Sequence, residues 1–164
     1  MHDAKPLRVL GIDPGLRVAG YGCITYDRRD PRPILVEAGA IKLDTTQSVS
    51  HRLYQLWTDI NEIIMDVSPD VVAVETVFSH ARQVGTAITM GHARGVILLS
   101  IEKNGLPLIE LAPAEIKKSV TGNGRATKSQ IQHAVVAILN LSEFPDPPDV
   151  ADALAISVTG AMRY

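Results

Sequence analysis

Asp13, Glu75, Asp149 and Asp152 are the side chains whose type and spacing point to chemistry. Asp13 closes the apolar stretch of residues 8–13 just before Pro14 and Gly15, and Glu75 closes a second apolar run, Val71-Val-Ala-Val74. A lone carboxylate at a buried strand end is costly, because desolvation of the ionised form has to be relieved by a partner, a proton or a bound cation. Asp149 and Asp152 lie three residues apart, which on a helix sets both on one face, near the positive N-terminal end. Taken alone, acids in a first helical turn need only complement the helix dipole. Taken with two strand-end acids, they form an all-oxygen donor set that suits a hard cation, Mg²⁺ before Mn²⁺, and not a structural zinc. Two such ions about 3.5 to 4 Å apart clamp a phosphodiester, activating water on one side and stabilising the leaving oxygen on the other. No Ser-His-Asp or Cys-His arrangement declares itself, so the expected reaction is phosphodiester hydrolysis without a covalent intermediate.

The charge distribution agrees with a polyanionic substrate better than the total does. A formal net charge of -2 argues mildly against a nucleic-acid partner. Residues 111–140, however, carry Lys117, Lys118, Arg125 and Lys128 against Glu115 alone, and Glu143, Asp146, Asp149 and Asp152 follow directly. A basic wall beside an acidic cluster suits a polyanion held by metal. The stretch Gly122-Asn-Gly-Arg-Ala-Thr-Lys-Ser129 has a superficial likeness to a phosphate-binding P-loop, but it lacks the Gly directly before Lys-Ser and follows no strand. It reads instead as a helix-entry loop with a basic edge. Cys23 lies in an apolar run, where a buried inert thiol is the default, and a single cysteine makes no internal disulfide.

The elements that must position these groups follow from periodicity. Residues 8–13, 18–26 and 34–43 read as strands of an antiparallel meander, with a loop over residues 27–33 that holds two prolines. Apolar residues from Val49 to Val67 recur at spacings of three and four, an amphipathic helix capped by Ser48 or Ser50 with Trp57 in its core stripe. Residues 71–75 read as a fully buried parallel strand, 83–103 as a helix stopped by Asn104-Gly105, and 107–111 as a fifth strand. The small residues Gly85, Ala87, Gly91, Ala93 and Gly95 allow another helix to come close to 83–103, either within the fold or across a homodimer seam. A short helix over 113–120, a helix opened by the capping box Thr127-Lys-Ser-Gln130, and a final helix from Asp149 complete the chain. With 164 residues, 46% hydrophobic, this order predicts a single domain over residues 1–164, one mixed sheet with helices packed on it. No apolar run approaches the ~20 residues of a membrane span and residues 1–6 are too polar for a secretory signal, so the expectation is a cytoplasmic protein with no membrane partner.

Gly11-Ile-Asp-Pro-Gly15, Gly20-Tyr-Gly22, Val74-Glu-Thr-Val-Phe78, Gly91-His-Ala-Arg-Gly95, Lys117-Lys118, Lys128-Ser-Gln130 and Asp149-Val-Ala-Asp-Ala-Leu-Ala155, in this order, resemble the RuvC-type Holliday junction resolvases. The similarity runs from about residue 8 to residue 162. It implies an α/β, RNase H-like fold with a five-stranded mixed sheet, three antiparallel strands plus two parallel, flanked by helices. It also implies a homodimer that cuts four-way DNA junctions symmetrically in recombination and repair, dependent on Mg²⁺ with Mn²⁺ as a substitute and two ions per active site. On this resemblance Asp13, Glu75, Asp149 and Asp152 match the family's metal-binding catalytic acids, with Asp149 open between direct ligand and nearby base. Phe78 matches an aromatic that stacks on a base near the junction centre, and Lys117 and Lys128 match basic residues beside the scissile phosphate. A branch-migration motor is the further partner the resemblance suggests. The rival readings are an actin-like nucleotide phosphotransferase, which needs a second similar domain that a chain of this length lacks, and a non-catalytic junction-binding protein, which has no use for four intact acids.

Overall fold

In the computed structural model, which describes residues 5–76 and 84–164, five strands form one sheet in the order β3-β2-β1-β4-β5. β1 (Leu7–Asp13), β2 (Val18–Asp27) and β3 (Asp30–Lys42) are the antiparallel meander, while β4 (Val71–Glu75) pairs with β1 and β5 (Leu108–Leu111) with β4, both in parallel. Alternation along the strands sorts their side chains between two cores. Val9, Val71 and Ala73 enter one core, and Leu10, Ile12, Val72 and Val74 enter the other. The same parity carries Asp13 and Glu75 to the Val9 side.

Helices α3 (Pro113–Thr121), α4 (Lys128–Leu139) and α5 (Pro148–Arg163) cover that side. On the opposite face lie α1 (Val49–Val67) and α2 (Val84–Lys103). Their starts follow the expected capping chemistry. Ser48 accepts the His51 amide at the head of α1, and Thr127 and Gln130 close the full capping box at the head of α4.

α5 is buried along nearly all its length and lies directly on β1 and β2. Glycine makes this approach possible at two points. A Cβ on Gly11 would overlap the backbone of Ala153 and Ser157, and one on Gly20 would overlap the carbonyl of Asp149. Because the obstruction is backbone, no rotamer change relieves it. Gly20→Ala is therefore expected to lower stability by roughly 1–3 kcal/mol and to push the start of α5 off the sheet. A lowered midpoint in urea checks this.

Three expectations are corrected. The expected loop over 27–33 is a two-residue turn, Arg28-Arg29, and β3 begins at Asp30. β3 is an edge strand, where proline's missing amide costs no ladder bond, and irregular register near Cys23/Ile24 and Thr25/Asp27 absorbs the mismatch. Trp57 is half-buried, stacked on Tyr54 with the Lys103 ammonium 4.9 Å over its ring, and so borders the core. Finally, α2 is 20 residues long and holds an 18-residue stretch with a mean hydropathy of 1.3, which by length and composition alone suffices for a membrane span. Its Ala93, Ile97 and Ile101 are buried in the core, and Ser100 beside them is bonded to Asn61 of α1 at 3.2 Å.

Candidate active site

Asp13 and Glu75 are the last residues of adjacent parallel strands, with Ile12 facing Val74 in register, so both carboxylates leave the sheet at one edge. Carboxyl ends of parallel strands are where open α/β sheets collect ligands. The first turns of α5 are held against the same edge by the Gly20 contact, which brings Asp149 and Asp152 to it. All four acids line one cleft of about 1090 Å³. Lys117 and Ile116 of α3, Lys128 and Ile131 of α4, and Thr86, Thr89 and Met90 of α2 form its other walls. Lys118, grouped with Lys117 in the sequence, is exposed and does not line the cleft.

The turn after Asp13 is tied down from two sides. Arg52 of α1 donates from Nη1 to the Leu16 carbonyl at 2.9 Å, and the Leu43 amide donates to the Arg17 carbonyl at 2.9 Å. These bonds fix the turn that follows Asp13 at the end of β1.

The electrostatics are those of crowded anions. Asp13 is pushed up to about 8, first by burial and then by Asp152, Glu75 and Asp149, with Lys128 pulling the other way. Glu75 is raised by burial and Asp152, opposed by Lys117 and Lys128. Burial is also the largest cause of the rise at Asp152, with Lys128 opposing it. Lys128 Nζ lies 3.7 Å from Asp152 Oδ2 on a side chain that is 80% exposed, a contact that adds little stability but leaves the ammonium free to turn into the cleft. Lys128→Ala is accordingly expected to slow the phosphodiester hydrolysis that the four acids imply by about 100-fold with the melting temperature nearly unchanged, as measured by single-turnover rates beside thermal melts.

This donor set fits a hard divalent cation. It is all carboxylate oxygen, and the buried Asp13 gains from any charge that offsets its neighbours. Among the described residues no three Asp, Glu, His or Cys side chains converge as a preformed cage, so the acids share a cleft, not a single point. Asp13, Glu75, Asp149 and Asp152 would hold the cation.

Of the expected site residues, the structure brings together the four acids, Lys117 and Lys128. Phe78 lies outside the described residues, as do His80 and Arg82. Arg17, absent from the expected site residues, also lines the cleft. Its signal was its place in the turn after a strand-end acid. Arg94 is neither solvated nor in the cleft, as its side chain is only 18% exposed and it bonds to the protein.

Comparison with known proteins gives concordant matches. The family model described as Crossover junction endodeoxyribonuclease RuvC matches residues 9–160. A crossover junction endodeoxyribonuclease RuvC of Rhodopirellula baltica is 47% identical over 152 residues, covering 93% of this chain and 84% of that protein. The Thermus thermophilus RuvC structure superposes with a TM-score of 0.85 at 31% identity, covering 94% of this chain and 93% of that one. For T. thermophilus RuvC in complex with Holliday junction substrate the TM-score is 0.87 at 30% identity, covering 96% and 94%.

Proposed function

The chain belongs to the RuvC family of crossover junction endodeoxyribonucleases, with the RNase H-like fold of that family, and on that premise we propose that its acidic cleft cuts four-way DNA junctions by metal-dependent hydrolysis. The observation that carries the site assignment is the gathering of Asp13, Glu75, Asp149 and Asp152 in one cleft with Lys117 and Lys128 on its walls. T. thermophilus RuvC has been captured with a Holliday junction, and this chain aligns with it over nearly its full length. Nothing in the geometry of the described residues favours a nucleotide phosphotransferase.

Mg²⁺, with Mn²⁺ as a substitute and two ions in the working site, would supply water activation and charge stabilisation on the leaving oxygen. The residues do the rest. Asp13, Glu75 and Asp152 hold the charge needed to bind cations and must shed their protons to do so. Asp149, on the same helical face as Asp152, either joins them or accepts a proton from the attacking water. Lys117 and Lys128 face the negative charge that grows on the phosphate, and they recognise phosphate and not base sequence. Phe78 follows the Glu75 strand in sequence and would stack on an unpaired base near the crossover, a contact of ~1 to 3 kcal/mol.

Symmetric cutting requires two such clefts. α2 offers a seam for a second copy, since nothing lies within 4 Å of a Cβ placed on Gly85, Gly91 or Gly95, and Val84, Ile88 and Leu99 are exposed beside them. A homodimer joined there would present one cleft to each of two opposed strands. A branch-migration motor is the further partner proposed, on the resemblance alone.

The test is cleavage of an end-labelled four-way junction beside a linear duplex of the same sequence. Paired nicks at symmetric positions on the junction alone, lost with chelator, are the expected result. Equal cutting of the linear duplex overturns the proposal.

A further inference from the structure

Glu75 has two handles, and only its carboxylate faces the cleft. Its carbonyl oxygen accepts a hydrogen bond from Arg94 Nε of α2 at 3.2 Å, while Nη2 of the same guanidinium is ion-paired with Glu110 of β5. The next residue is tied as well, because the Thr76 amide and hydroxyl both donate to the Leu111 carbonyl, at 2.9 and 3.3 Å. The peptide that leaves Glu75 is thus gripped from the α2 side by Arg94 and from the β5 side through Thr76. α2 itself cannot slide easily. Ala93 and Ile97 beside Arg94 are fully buried, and farther along Asn61 of α1 bonds to Ser100 at 3.2 Å and accepts from Asn104 at 2.8 Å.

We propose that Arg94 is a positioning residue for Glu75: it fixes the peptide that follows Glu75 and so aims the Glu75 carboxylate into the cleft, with Glu110 holding the guanidinium in place. This rests on the reading of Glu75 as a member of the acid set. Arg94 does not line the cleft, so its influence on the reaction passes through Glu75 and not through contact with DNA there. The guanidinium suits the task because its planar fork donates in two fixed directions at once, whereas a lysine ammonium reaches one acceptor well and gives up the angle. A misplacement of a reacting group by about 1 Å costs on the order of 100-fold in rate, and loss of a residue that orients a metal-binding side chain costs about 10- to 100-fold in metal affinity.

The experiment compares Arg94→Met, Arg94→Lys, Glu110→Gln and Glu75→Gln with the unaltered chain. It measures single-turnover junction cleavage across a Mg²⁺ titration, Mg²⁺ binding by calorimetry without DNA, junction affinity in chelator, and thermal melts. Arg94→Met is expected to lower the maximal rate and weaken Mg²⁺ binding, each by roughly 10- to 100-fold, with junction affinity in chelator unchanged. Glu110→Gln keeps the bond to the Glu75 carbonyl and should lose least, with Arg94→Lys between the two. Should Arg94→Met not fold, the order unaltered chain, Glu110→Gln, Arg94→Lys in both rate and Mg²⁺ binding carries the test. A rate and Mg²⁺ affinity equal to those of the unaltered chain in folded Arg94→Met, or in Arg94→Lys, overturns the proposal. So does a fall in junction affinity that matches the fall in rate. If Glu75→Gln is inactive while the Arg94 variants are normal, the positioning role alone fails; if Glu75→Gln cuts normally, the assignment of Glu75 beneath it fails.

Discussion

Replacing Asp13 with Asn is expected to cut the rate of junction cleavage by about 10³-fold or more while junction binding in chelator stays the same or tightens. Asn keeps the size of the side chain but loses the anionic oxygen, and Asp13 is the acid whose charge is set by all three of the others. The three remaining carboxylates cannot take over its place at the end of β1. Binding should not suffer, because one less negative charge faces the phosphates. Cleavage and filter-binding or anisotropy measurements on the same preparation separate the two effects. A parallel loss of both would mean that the substitution damaged the fold or the DNA surface.

The second large effect is on stability, and its sign is opposite. In the unfolded chain the Asp13 carboxyl titrates near 3.8, and in the folded protein it is pushed up to about 8. Between those values the folded state holds a proton that the unfolded state has released, so folding stability falls as pH rises through the window and the whole penalty is present above about 8. Glu75 and Asp152, both raised, act in the same direction. Asn carries no such penalty. In chelator at pH 8.5, Asp13→Asn should therefore melt about 10 °C higher than the unaltered protein, with the difference shrinking toward zero near pH 4. Adding Mg²⁺ should raise the melting temperature of the unaltered protein and close much of the gap, since a bound cation stabilises the ionised carboxylates. A variant that melts lower at pH 8.5 would contradict the crowded-anion description of the cleft.

The acid set was legible in the sequence because each member sits where a local rule acts. Asp13 and Glu75 end apolar runs that can only be buried strands, and the three-residue spacing of Asp149 and Asp152 needs only helical periodicity. That Asp13 and Glu75 share a face is set by the register of β4 on β1, with Ile12 opposite Val74, which continuous apolar runs do not reveal. What was not legible depends on which elements become neighbours. Arg94 reads as an ordinary helix charge until Glu110 and the Glu75 carbonyl are beside it, an outcome of pairing β5 to β4 in parallel and laying α2 across them. Trp57 keeps to its helical stripe yet meets Lys103, and so ends half-buried at the border of the core. The prolines before Ile34 signal a loop only if the strand is internal, and β3 lies at the sheet's edge. The closeness of α5 to β1 and β2 was written in Gly11 and Gly20, but a glycine in a strand does not say which backbone it admits.

The most direct measurement is anomalous scattering from Mn²⁺ in crystals of the Asp152→Asn protein bound to a four-way junction, a variant chosen to slow cleavage while Asp13 and Glu75 remain intact. The account predicts a Mn²⁺ peak in the cleft, in contact with Asp13 and with a backbone phosphate of the junction. A junction seated elsewhere on the protein, or Mn²⁺ bound away from Asp13, would contradict it.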